Sequence, residues 1–130
     1  MRRLTTLLTT AALFVGLSGI AQATTLSGGP LLVDADNLGG SQVLCTLINL
    51  GPKDIKNVVG RATITVQGVV TVNQATVKPG EFFTVNNVND TVNAQLGWCE
   101  FKFRGWKKNV RGTLCVIFGA NRCADSVPLQ

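Results

Sequence analysis

The sequence predicts an all-β fold, a single antiparallel β-sandwich of about seven strands behind a cleaved leader. Three observations predict it. Past residue 23, apolar residues alternate in short runs, the period of half-buried strands, and no stretch keeps a helical period. Gly, Asn, Asp and Pro interrupt those runs at turn-forming positions. The chain of 130 residues holds four cysteines, an even number that suits two disulfides in an exported domain.

The leader comes first. Arg2 and Arg3 supply a positive start, and Leu7, Leu8, Ala11, Leu13, Phe14, Val15, Leu17 and Ile20 supply an apolar run. Ala21-Gln22-Ala23 then gives the small-x-small pattern of a signal-peptidase site. Thr9, Thr10, Gly16, Ser18 and Gly19 interrupt the run too often for a good membrane span. Cleavage is expected between Ala23 and Thr24, which delivers residues 24–130 as one domain to the periplasm or the extracellular space. No transmembrane span is expected in the mature chain. Loss of Arg2 and Arg3 lowers Lys+Arg from 12 to 10 against 7 acidic residues, a net charge of about +3. That balance permits attraction to anionic polymers without demanding it.

Strands are predicted near Leu31–Asp34, Gln42–Leu50, Val58–Gln67, Val69–Asn73, Glu81–Asn86, Ala94–Arg104 and Val110–Phe118. Turns fall at Leu38-Gly39-Gly40, Gly51-Pro52-Lys53-Asp54, Lys78-Pro79-Gly80 and Asn86–Asp90. Pro79-Gly80 suits the centre of a type II turn, in which Gly takes the positive φ. Cys99, Phe101 and Phe103 share one strand face, and Trp98, Glu100, Lys102 and Arg104 share the other. The first face is therefore core and the second wet. Ala62, Ile64 and Val66 are expected in the core in the same way, opposite Arg61, Thr63 and Thr65. Thr24–Pro30 and Ala124–Gln130 read as loosely held ends.

Four cysteines allow three connectivities, and strand phase chooses among them. Cys99 lies on the core face, and Cys45 shares the phase of Val43 and Leu47. Cys115 takes the phase of Arg111 and Thr113, so it points outward. The expected pairs are Cys45–Cys99 across the core and Cys115–Cys123 near the surface, the latter closing a turn at Gly119-Ala120-Asn121. The absence of any C-x-x-C pair argues against a thiolate metal site and against redox chemistry.

Cys45-Thr46-Leu47-Ile48-Asn49-Leu50-Gly51, Lys78-Pro79-Gly80-Glu81 and Cys99-Glu100-Phe101-Lys102-Phe103 form a pattern, with Val110-Arg111-Gly112 leading into the last strand. This pattern resembles small, uncharacterised exported bacterial proteins with an immunoglobulin-like β-sandwich. The resemblance implies a fold and an export route and no biochemical role. The chain departs from antibody domains: Val58–Gln67 has no Trp, and Gly97 stands where a Tyr would precede the second cysteine.

Function is bounded mainly by exclusion. The chain has no His, so triad chemistry and imidazole metal sites are absent. Asp54, Glu81, Asp90, Glu100 and Asp125 are scattered over different elements and do not announce a carboxylate pair. Asp34, Asp36 and Asn37 begin like a calcium loop, but its twelfth position is Cys45 and not Glu. Asn89-Asp90-Thr91 fits the glycosylation rule by composition alone. No catalytic residue, metal or cofactor is expected, and nucleic acid is not an expected partner.

The candidate binding residues are Lys102, Arg104, Trp106, Lys107, Lys108 and Arg111, read as the wet face and tip of a hairpin between the sixth and seventh strands. Cations beside an indole suit an anionic polymer, glycan or headgroup. The competing view is a solvated edge whose lysines deter aggregation. The expected function is a non-enzymatic binding or structural module of the envelope. The alternative is an interaction module (an inhibitor, adhesion or assembly component) that engages a protein through a sheet edge or through the same basic segment.

Overall fold

A computed structural model of the protein describes residues 23–33, 41–91, 93–118 and 122–130. Residues 1–22 of the leader expected over 1–23, the calcium-like Asp34, Asp36 and Asn37, the turn at Leu38-Gly39-Gly40 and that at Gly119-Ala120-Asn121 lie outside the described residues.

The strands are β1 (Ala23–Val33), β2 (Ser41–Asn49), β3 (Ile55–Ile64), β4 (Gly68–Val77), β5 (Phe82–Asn89), β6 (Gln95–Arg104), β7 (Val110–Phe118) and β8 (Arg122–Pro128). They form two four-stranded antiparallel sheets, ordered β1-β6-β3-β4 and β5-β2-β7-β8. Alternation builds the core as expected: Val43, Cys45 and Leu47 from β2 meet Cys99, Phe101 and Phe103 from β6, all buried. Phe101 and Phe83 meet edge to face with centroids 5.8 Å apart, the geometry their ring quadrupoles prefer.

Cys45 is bonded to Cys99, tying the two sheets through their inner strands, and Cys115 is bonded to Cys123. Cys115 belongs to the outer face, outside the core cluster, yet it is buried and not exposed. Its strand lies between β2 and β8, and its sulfur is capped by that of Cys123. In a constant-type antibody domain the first strand lies beside the second and the last beside the sixth. Here β1 lies beside β6 and β7 beside β2, so the first and last long strands have exchanged sheets.

The ends correct the sequence-based expectation. Residues 24–30 and 124–128 are not loose but lie in β1 and β8, which makes eight strands. Leu129 is buried, and Ser27 and Gln130 exchange two backbone hydrogen bonds of 3.0 Å each. Leu129 fits because Gly28 and Gly112 carry no side chain: a Cβ on either would approach its methyls to 2.6 or 2.7 Å. The third strand also differs. It begins at Ile55 and ends at Ile64, so Val66 sits exposed in a turn and not in the core. The turn after β4 is as expected, with Gly80 at φ 79° and the Glu81 N–H donating to the Lys78 carbonyl at 3.0 Å.

Among the described residues four inward-facing positions are polar, Ser41 and three asparagines. Asn49, Asn87 and Asn89 are buried in the phase of their apolar neighbours. The stretch Asn86–Asp90 is therefore mostly strand and not turn. Each buried amide is satisfied by backbone. The Asn87 amide donates to the Ala62 and Gly68 carbonyls at 3.1 and 3.0 Å. That of Asn89 donates to Val33 and Asn93 at 3.3 and 3.1 Å. A buried, doubly donating Asn89 amide has no room for a glycan.

Candidate functional site

The sixth and seventh strands do not form a hairpin. β6 and β7 belong to different sheets, and residues 105–109 cross from one to the other at the end of the sandwich. Period-2 patterning cannot distinguish these two routes, since both leave five polar or flexible residues between alternating strands. The crossing places Trp106 and a 3-10 turn, Lys107–Asn109, against the β2–β3 connection.

A hollow of about 660 Å³ lies between those two segments. Arg104, Trp106 and Lys108 line it from one side, and Lys53 and Lys56 from the other, with Asp54 the acidic group among its walls. Trp106 is 74% exposed, and the Lys108 ammonium stands 5.8 Å from its ring centroid, within cation–π range. Lys56 lies directly opposite Arg104 in the β3–β6 ladder. Like charges at that position are destabilising by themselves. The Lys56 ammonium reaches Asp54 at 3.3 Å and the Thr76 hydroxyl at 3.4 Å, an exposed pair worth about 0–1 kcal/mol.

Local backbone geometry aims these groups. Asn57 adopts φ 51°, and the β3–β6 register shifts between Lys56 and Val59. That bulge turns the strand entry toward the hollow, and Asn is one of the few residues to visit the left-handed region readily. Asn49 secures the neighbouring connection. Its amide donates to the Lys53 and Val77 carbonyls at 2.8 and 3.0 Å, and its Oδ1 accepts from the Gly51 N–H at 3.0 Å.

The structure thus gathers half of the six expected residues. Lys102 projects from the outer face of its sheet, 3.5 Å from Glu100. Arg111 lies on the other sheet, with its guanidinium 3.1 Å from the Val110 carbonyl. Lys107 sits in the 3-10 turn but does not line the hollow. Lys53 and Lys56 escaped the sequence reading because Gly51-Pro52-Lys53-Asp54 presents itself as an ordinary turn. Their signal was compositional, two further cations flanking a loop, and only the crossover connects them to Trp106.

No protein-family model, curated protein or solved structure matches the chain.

Proposed function

We propose that the protein is an exported, non-enzymatic binding module of the cell envelope, whose basic end holds an anionic polymer by charge and by stacking on Trp106. The observation that carries this is the convergence of Lys53, Lys56, Arg104 and Lys108 on one hollow beside a largely exposed indole. Release of counterions and neutralisation of the opposed Lys56 and Arg104 both favour an anionic occupant. Two formed disulfides agree with an oxidising compartment. The first residue of β1, Ala23, pairs with Arg104. The inner-strand disulfide supports an immunoglobulin-like sandwich with its first and last strands exchanged.

Retention on dextran sulfate, with neutral dextran as control, tests the proposal at about 20 and 500 mM salt. The expected result is retention at low salt, loss at high salt, and loss at both in Lys53→Glu/Lys108→Glu. The charge-matched variant Lys102→Glu/Arg111→Glu should retain more than Lys53→Glu/Lys108→Glu, since its two residues do not line the hollow. Equal behaviour of the two double variants would refute a site at this end.

A second possibility is strand addition, which β4 favours. It is an edge strand, exposed over residues 68–73, with no charge and no proline from Gly68 to Val77. Val69, Val70 and Val72 are 55%, 38% and 39% exposed. Such an edge is a template for another strand. Partner capture that persists at high salt would point to β4 and not to the basic end.

A further inference from the structure

The outer face of the β1-β6-β3-β4 sheet carries a separate hollow of about 650 Å³. Strand register builds it as two adjoining rows. Ser27, Glu100, Arg61 and Thr71 lie opposite one another across all four strands. The next row holds Trp98, Thr63 and Val69, with β1 bulged beside it after Gly28. Gly29, in that bulge, has φ +123°, and a Cβ there would lie 2.9 Å from Trp98 Cδ1. Bare backbone at Gly29 thus leaves room beside the indole that any larger residue would fill.

We propose that this hollow binds a neutral glycan, with Trp98 as the stacking platform and the Glu100–Arg61 row as the hydroxyl-binding rim. A pyranose ring has an apolar C–H face and a belt of hydroxyls that both donate and accept. An aromatic plate next to mixed donors and acceptors matches both features, and a rigid indole loses little entropy on binding. The rim has unused capacity. Arg61 and Lys102 both contact Glu100 through the same oxygen, Oε1, at 3.2 and 3.5 Å. Oε2 of Glu100, the indole N–H of Trp98 and the hydroxyls of Ser27, Thr63 and Thr71 make no hydrogen bond among the described residues. An ionised carboxylate offers about four acceptor positions and a guanidinium five donors, so most remain open.

Charge selects the class of ligand. Within the lining of the hollow Arg61 and Glu100 offset one another, with Lys102 outside it, whereas at the basic end Asp54 offsets one of four cations. A polyanion gains little here, and a carboxylate so placed repels it. The hollow is open along the sheet face, and its extent suits one or two sugar rings lying across the two rows.

The chain contains two tryptophans, so Trp106→Phe leaves Trp98 as the only indole reporter. Its fluorescence is titrated, with the protein oxidised and at high salt, against a β-1,4-linked N-acetylglucosamine tetramer, cellohexaose and maltohexaose. The expected result is a saturable spectral shift with at least one of them below about 20 mM, the regime of weak binding. Arg61→Ala/Glu100→Gln, which leaves the net charge unchanged and touches no core residue, should weaken that shift by about tenfold or more. Lys53→Glu/Lys108→Glu should leave it intact, which separates this site from the basic end. No saturable change with any of the three, or one indifferent to Arg61→Ala/Glu100→Gln, overturns the proposal.

Discussion

Replacing Asn49 by Ala removes three hydrogen bonds at once from a side chain with 0% exposure. Each is worth about 0.5–1.5 kcal/mol, and the abandoned carbonyls of Lys53 and Val77 and the N–H of Gly51 must find water or go unpaired. The Lys53 carbonyl is only part-buried and rehydrates readily, whereas the bonds to Val77 and Gly51 are buried. The expected loss is therefore about 2–4 kcal/mol. In a domain of this size that lowers Tm by roughly 10–20 °C. Asn86 provides the control. It is exposed and its amide reaches only the Gln42 side chain, at 3.2 Å, so Asn86→Ala should cost about 0.5 kcal/mol or less. Urea unfolding of the oxidised protein measures both. The bond to the Lys53 carbonyl also holds the connection that lines the basic hollow, so Asn49→Ala should weaken dextran sulfate retention below its own transition. A loss under about 1 kcal/mol, or equal losses at Asn49 and Asn86, would refute the assignment of Asn49 as the brace of this end.

The disulfides and the C-terminus give further expectations. On loop-entropy grounds the Cys45–Cys99 bridge, with a separation of 54 residues, contributes about 4 kcal/mol, and Cys115–Cys123, with a separation of 8, about 2.5. Alanine replacement of each pair, followed by chemical denaturation, should reproduce that order. Loss of the first pair also opens space in the core, which widens the gap. Leu129→Ala should cost about 2–5 kcal/mol and speed hydrogen exchange of the Ser27 and Gln130 amides, whose mutual bonds depend on that anchor. Unchanged exchange at Ser27 would show that β1 is held without the C-terminus.

What the sequence discloses depends on how local its cause is. The alternation Cys99, Phe101, Phe103 against Trp98, Glu100, Lys102 requires only a pleat, and both the buried face and the Cys45–Cys99 pairing follow from it. β7 was legible to the residue for the same reason. β1 and β8 were not. Gly28, Gly29 and Pro30 weaken one, and Asp125, Ser126 and Pro128 weaken the other, so their strand character comes from distant partners. Asn87 and Asn89 broke the hydrophobic pattern and passed for turn signals, because sequence shows the amide but not the two carbonyls that receive it. Of the candidate site, the cations after β6 were visible and those after β2 were not assembled with them. Their meeting depends on whether residues 105–109 return within one sheet or pass to the other.

That choice of route has consequences beyond the basic end. Because β6 hands over to β7 across the sandwich, β7 takes the place beside β2, and the seat beside β6 falls to β1. The C-terminal residues then bridge β1 to the opposite sheet through Ser27 and Gln130, which closes one long side of the sandwich. Among the described residues the other long side, between β4 and β5, is bridged by side chains: the Asn87 amide reaches Gly68 and Ala62, that of Gln67 reaches Asp90, and Val70 and Val72 stay exposed there. The three candidate surfaces thus differ in the force each can use. The basic end offers charge, the Trp98 face offers stacking with neutral hydrogen bonding, and the β4 edge offers backbone pairing. Salt weakens the first and leaves the other two, whereas Arg61→Ala/Glu100→Gln acts on the second alone. A strand-breaking Asn73→Pro would act on the third, since the alternation of the β3–β4 ladder turns the Asn73 N–H away from β3 and proline removes that donor from the free edge.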